Sequence, residues 1–352
     1  MRATSNQKSR SRRPTELGLL EQIRAGASRT RNPGLRLGIG DDCALLRLRQ
    51  GEEMAVTTDL SIDARHFRLA WHPPQAIGHR TLARGLSDLA AMGARPIAAF
   101  LSLGLPREFV QNAKGRKPRW VERFLEGFFS LAAAYQTPLA GGDMAESPIA
   151  AADIVLAGAV RRGKALLRSG ARASDLLYVT GQLGGAAAGL ARLAQWASGQ
   201  RQAHLYLNPS GGLRIPARLQ SILQPHLYPQ PRIAQGLWLA SRSRATAAID
   251  VSDGLSTDLA HLCEKSGVAA ELDAAALPIH PAATLSQALH GGEDYELLFT
   301  APASANIPRT IGSVPVTRIG RIVRRRSAKP LIVLITNHGT QPLEPQGWQH
   351  FS

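Results

Sequence analysis

Cysteine is scarce: Cys43 and Cys263 are the only two in 352 residues. Two widely separated thiols build neither a disulfide framework nor a zinc site, so a reducing, cytoplasmic setting is the expectation. Long apolar runs are missing too. No stretch of about 18 uninterrupted apolar residues exists, so no transmembrane helix is expected. The basic N-terminus runs into Pro14, Thr15 and Glu16 instead of an apolar segment, which is not the pattern of a secretory signal. Two nucleotide-binding signatures are lacking as well. Gly38-Ile39-Gly40 has neither the third glycine nor the immediate helix of a dinucleotide fingerprint. The glycine-rich VTGQLGGAAAGL lacks the Lys-Ser/Thr ending of a P-loop.

Acid is the remaining scarcity. Asp and Glu number 26 against 42 Lys and Arg, a formal net charge of +16. The surplus is local. Residues 1–13 and 321–329 each hold five bases and no acid, and residues 114–123 hold five bases and one acid. Outside those stretches 27 bases face 25 acids. Such runs can bind nucleic acid or anionic surfaces. More often they are solvated loops and tails, so a nucleic-acid partner is not the expectation. Residues 1–15 read as a disordered basic arm.

What is present is an α/β pattern in a chain long enough for two domains. Apolar runs at 53–60, 97–105, 152–160 and 331–336 read as strands. Residues 75–93 read as the clearest helix, with Leu82, Leu86 and Leu89 as its stripe. Asp88 falls about 200° round from Leu86, where it either pairs with Arg84 or points into a shared site. Residues 120–135 read as an aromatic-rich core helix. Residues 175–195 read as a strand, a glycine-rich turn whose amides can cradle phosphate, and a helix. Residues 203–231 read as a proline-rich loop.

The chain is organised around Ala247–Thr257, AAIDVSDGLST. Asp250 and Asp253 flank Ser252 where a short strand gives way to a helix carrying Leu255, Leu259 and Leu262 on one face. Open α/β sheets bind ligands at that end of the strand, and two acids beside a hydroxyl suit Mg²⁺. The plainer alternative is that Ser252 or Asp253 caps the helix. Similar groupings recur at Asp41-Asp42 after Gly40, at Thr57-Thr58-Asp59, at Asp143 after Gly141-Gly142, and at Glu293-Asp294 after Gly291-Gly292. With Asp88, nine of the 26 acids lie in such Gly-, Ser- or Thr-rich stretches, mostly read as strand ends. Converging carboxylates repel unless cations neutralise them. Mg²⁺ carrying substrate phosphates is the natural partner. The pattern points to nucleotide phosphoryl transfer without a P-loop.

In order, GIGDDCALL, TTDL, LSDLAAMGA, GGD, VTGQLGGAAAGL, PQPR, AIDVSDGLSTDL and GGEDYEL closely resemble the thiamine-monophosphate kinase family, over roughly residues 16–351. That family belongs to the superfamily of aminoimidazole ribonucleotide synthetase, selenophosphate synthetase and a hydrogenase-maturation protein. The resemblance implies a two-domain α/β fold with mixed α+β sheets. Residues 16–162 would form an ATP- and Mg²⁺-binding domain that dimerises through its strands, and residues 163–352 a synthetase-like domain. It implies transfer of phosphate from ATP to thiamine monophosphate, giving ADP and thiamine diphosphate, the final step in making that cofactor. The family's ligands to several Mg²⁺ ions fall on Asp42, Thr57, Thr58, Asp59, Asp88, Asp143, Asp250 and Asp253. Its ATP contacts fall on Gly142, Asp143, Arg168 and Ser252, and its substrate contacts on His66, Glu293 and Trp348. Transfer would be direct and in line, with no covalent nucleophile. Met144-Ala145 after GGD, and Tyr228 before PQPR, depart from the family pattern. The nearest alternative is another ATP-dependent enzyme of the superfamily, of the selenophosphate synthetase or maturation-factor type. GGEDYEL and His66 match the kinase better, and residues 1–30 lack the reactive cysteine of a selenophosphate synthetase.

Overall fold

A computed structural model of the chain describes residues 16–111, 119–198, 217–241 and 243–348. The basic arm and residues 114–118 of the central basic run lie outside the described residues.

The first part contains α1 (Glu16–Ala27), β1 (Leu35–Leu37), β2 (Leu45–Leu46), β3 (Glu52–Ile62), α2 (Pro74–Ala91) and β4 (Arg95–Leu105). It continues through α3 (Arg107–Val110), α4 (Trp120–Ala134), β5 (Leu139–Glu146) and β6 (Ala151–Arg161). Four of its strands form a sheet of order β3-β6-β4-β5, antiparallel except for the β4–β5 pair. The second part runs through β7 (Leu176–Thr180), α5 (Gly185–Ser198), α6 (Ala217–Leu227), α7 (Ile233–Ser241), β8 (Ala247–Val251), α8 (Leu255–Ser266) and β9 (Val268–Asp273). It ends with α9 (Leu285–His290), β10 (Glu296–Ala301), β11 (Thr310–Ile311), β12 (Val314–Arg324), β13 (Ile332–Thr336) and β14 (Gly339–Pro342). Its sheet has the order β14-β13-β9-β12-β7-β10-β8, with β11 on β12. Only the β9–β13 pair is parallel. The mixed-sheet α/β fold expected from the sequence is the one adopted.

The helix α2 joins the two parts. Pro74 opens it, where a missing N–H is harmless. It packs on β3, β4 and β6 of the first sheet, and on α7, β8 and β10 of the second part. That double contact buries it nearly all round, beyond the single leucine stripe visible in its sequence. Its approach to α4 depends on facing glycines. A Cβ on Gly78 would lie 1.9 Å from the Phe124 carbonyl oxygen, and one on Gly127 would lie 1.9 Å from that of Gln75. The aromatics of α4 are core, as their spacing implied: Trp120, Phe124 and Phe128 are buried.

The structure corrects three expectations. Part of the stretch read as a loop, 203–231, forms α6. Leu219, Leu223 and Leu227 repeat every fourth residue and pack against Leu193 and Ala76, while Pro225 sits in the last turn and gives up one backbone bond there. Asp59 and Asp143 do not end their strands but lie inside β3 and β5. Gly141-Gly142 therefore makes no turn. A Cβ on Gly142, at φ 147°, would lie 1.9 Å from the Leu101 carbonyl oxygen, so the glycine permits close β4–β5 pairing. Finally, Arg119 of the central basic run is not solvated. It is buried at the start of α4, paired with Glu122 at 2.6 Å and bonded to Gln22.

Candidate active site

A cavity of about 680 Å³ opens beside α2, between the two parts of the chain. Asp59, Asp88, Asp250, Ser252 and Asp253 line it, and so do His66, Glu293 and Trp348. Eight of the site residues expected from sequence therefore converge. Each is set by local structure. The alternation of β3 turns Thr57 and Asp59 away from the exposed face that carries Met54, Val56 and Leu60. Asp88 lies on the side of α2 facing β3 and accepts a short hydrogen bond from the Thr57 hydroxyl. Asp250, near the end of β8, is buried and accepts a 2.7 Å hydrogen bond from Ser87 of α2.

Ser252 and Asp253 follow at the corner, where Gly254 adopts φ 119°. Neither caps α8. The Asp258 carboxylate, buried one turn into the helix, accepts from the amides of Ser252, Asp253 and Gly254 at 3.0–3.1 Å. It shapes the corner and leaves the cap role of the two earlier side chains unused. Trp348 is half exposed, and its amide donates to the Asp253 carbonyl at 3.1 Å.

The charge distribution fits a site built for cations. Burial, then the charges of Asp250 and Asp59, push the Asp88 carboxyl up to about 7. Burial also pushes Asp250 up to about 6, opposed by the Ser87 hydrogen bond and the Arg168 charge. Asp258 is raised by burial and by Asp250 and Asp253. Among the described residues, no three His, Cys, Asp or Glu side chains form a group that could hold a metal ion by themselves. The donors are nevertheless hard oxygens on mutually repelling carboxylates. That set fits Mg²⁺, which takes one or two carboxylates and completes its shell with phosphate and water.

Not all expected residues meet here. Asp42, Gly142 and Asp143 line a second cavity of about 560 Å³, together with Cys43. Thr58 faces the opposite side of β3 from Asp59 and donates to Asp153 at 3.1 Å. Arg168 is exposed, close enough for its charge to act on Asp88 and Asp250. The glycine-rich turn before α5 is not an open phosphate cradle. The amides of Gly184 and Ala186 donate to the half-buried Asp294 carboxyl at 2.6 and 3.0 Å.

Sequence reading missed the side chains that hold Glu293 and the His66 backbone. Arg80 donates to Glu293 at 2.5 Å, to His226 at 2.7 Å and to the His66 carbonyl at 3.1 Å. His226 in turn meets His72 at 2.9 Å. Burial and the Arg80 charge lower both imidazoles, His72 to about 3, so the pair is neutral beside the guanidinium. The only early signal was the placement of Arg80, Arg84 and Asp88 at four-residue intervals on one helix.

The chain's sequence and fold have known relatives. Residues 40–160 match the AIR synthase related protein, N-terminal domain, and residues 172–332 match the AIR synthase related protein, C-terminal domain. Those matches set the class. Within it, the chain is 36% identical over 330 residues to the thiamine-monophosphate kinase of Escherichia coli (strain K12), covering 90% of this chain and 93% of that one. The crystal structure of thiamine-monophosphate kinase from Stenotrophomonas maltophilia K279a is 37% identical, with a TM-score of 0.75 over 91% of this chain and 96% of that one. A structure of AaThiL complexed with AMPPCP and TMP is 28% identical, with a TM-score of 0.71 over 98% of this chain and 100% of that one. The chain belongs to the thiamine-monophosphate kinase family.

Proposed function

We propose that this protein uses ATP and Mg²⁺ to phosphorylate thiamine monophosphate to thiamine diphosphate. The observation that carries the proposal is one cavity lined by two kinds of side chain. Asp59, Asp88, Asp250 and Asp253 supply carboxylates for cations, and His66, Glu293 and Trp348 supply polar and aromatic surface suited to an organic acceptor. The ATP-analogue complex of AaThiL supports the same pairing of ligands.

Asp59, Asp88, Asp250 and Asp253 would hold Mg²⁺, with Thr57 bonded to Asp88 beside them; Asp42 and Asp143, which line the second cavity, are assigned to the set by family resemblance alone, and the geometry supports Thr58 least. The ion supplies charge neutralisation for phosphate oxygens. Gly142, Asp143, Arg168 and Ser252 are assigned to ATP. His66 and Glu293 hold the acceptor, and Trp348 covers its ring. A cationic ring over an indole face gains about 0.5–2 kcal/mol. The acceptor's phosphate oxygen is already ionised at neutral pH, so no strong general base is required. The chain's task is to hold two anions in line and prevent their repulsion from separating them. No covalent intermediate is assigned: Cys263 is buried in the core with its thiol pushed up to about 12, and Cys43 lies in the other cavity.

Residues 16–162 and 163–352 are assigned as the two domains. A homodimer through the first is supported by the outer face of β3, where Met54, Val56 and Leu60 are 46%, 62% and 49% exposed. No helix among the described residues is long and apolar enough to cross a membrane. A cytoplasmic location fits an ATP-consuming protein with two unpaired cysteines. The site assignment is tested by Asp59→Ala and Asp250→Asn. Loss of several kcal/mol of transition-state stabilisation lowers kcat at least about a hundredfold, with circular dichroism unchanged. Near-normal turnover in both variants would sink the assignment.

A further inference from the structure

One cation in the cavity is not used by the roles given above. Arg84 lies on α2 one turn before Asp88 and lines the same cavity. Its Nη2 donates to Asp59 Oδ1 at 3.1 Å and its Nη1 to Ser61 Oγ at 3.3 Å. Asp88, the partner its spacing offered, bonds Thr57 instead. The two bonds to β3 fix a side chain that is only 16% exposed. A guanidinium carries five N–H donors. Two are engaged here, and the buried Nε has no partner among the described residues. The carboxylates of Asp59 and Glu293 both act on this group, and the neutral Tyr295 phenol lies beside it in the same wall. Arg84 therefore stands between Asp59 and Glu293 in the cavity wall.

The other arginines around the cavity are placed differently. Arg65 and Arg68 are exposed, and the Arg68 guanidinium lies 4.9 Å from the Trp71 ring centroid. Arg80 is engaged by Glu293, His226 and the His66 carbonyl. In the kinase reading the acceptor's phosphate must approach the cavity aspartates, and Arg84 is bonded to one of them. A dianion there faces carboxylates and needs a fixed cation. A guanidinium fork matches phosphate geometry in a way that a carboxylate-lined site otherwise cannot.

We propose that Arg84 binds the phosphate of the acceptor and sets the preference for a phosphate monoester over the corresponding free alcohol. The inference rests on the kinase function proposed above. If Arg84 only neutralised Asp59, a lysine in its place would keep the parent's affinity for the monophosphate.

The test is calorimetric titration of the full chain with thiamine monophosphate and, separately, with thiamine. In Arg84→Gln, loss of a charge-assisted contact should weaken the monophosphate about tenfold or more and change thiamine by less than about twofold. Arg84→Lys keeps a cation beside Asp59 but loses the fork, so its loss should be smaller and still confined to the monophosphate. That variant carries the test alone if the glutamine variant does not fold. Equal weakening of both ligands, or of neither, would overturn the proposal. Failure of the kinase reading would look different: the parent protein itself would make no thiamine diphosphate from ATP and thiamine monophosphate.

Discussion

Asp88→Asn should separate stability from catalysis. In the ligand-free fold Asp88 is packed beside Asp250 and Asp59, and its carboxyl is raised from 3.8 to about 7. A group raised in the folded state contributes stability below its unfolded value, and that contribution is lost as pH rises through the folded value. The ligand-free parent should therefore lose stability between about pH 4 and pH 7 through this residue. Three pH units correspond to about 4 kcal/mol, which is a ceiling. Asparagine keeps the shape and an acceptor for Thr57 but gives a weaker bond than a carboxylate. A net gain of about 1–3 kcal/mol at pH 8 remains. Thermal melts of ligand-free protein should show the variant a few degrees higher at pH 8, with the gain fading at pH 5, where the parent holds its proton. Turnover in the same variant should fall at least about a hundredfold, because the repulsion it relieves is the field that attracts cations. A variant less stable than the parent at pH 8, or an equal gain at both pH values, would refute the electrostatic account.

Arg232 grips the buried Glu296 carboxylate through Nε at 2.6 Å and Nη2 at 2.5 Å. Arg232→Ala leaves that charge with only the Thr180 hydroxyl and should cost about 3–5 kcal/mol in urea unfolding. Gly127→Ala drives a Cβ into the Gln75 carbonyl and should cost about 1–3 kcal/mol or more by the same assay, without changing the KM for ATP. Asp258→Ala strands three amides at the Ser252–Gly254 corner. It should cost about 2 kcal/mol or more in stability and should lower kcat by a larger factor than the stability loss explains, measured on protein kept fully folded by a low assay temperature.

Much of the fold was legible because its local patterns are consistent with its tertiary packing. The leucine stripe of α2, the apolar runs that became β4 and β6, and the strand-to-helix corner at Asp250–Gly254 all lie where their periodicity put them. The errors have identifiable causes. Pro225 concealed α6 because a proline in the last turn resembles one in a loop. Asp143 was read as a strand end because the apolar run stops at Gly141-Gly142, whereas the strand continues through the two glycines to allow close pairing with β4. The supports of the site were largely hidden. Arg80 reaches Glu293 across 213 residues, and Ser87 reaches Asp250 across 163, distances over which no spacing rule operates. Asp258 was overlooked for another reason: an acid in a first helical turn has an ordinary role, and only the structure shows it gathering three amides.

The central claim is tested most directly by mixing the protein with ATP, Mg²⁺ and thiamine monophosphate, following ADP release, and identifying the product by mass. The account expects thiamine diphosphate in equal amount to ADP, formed only when Mg²⁺ is present. ADP release without thiamine diphosphate, or no use of ATP at all under these conditions, would contradict it.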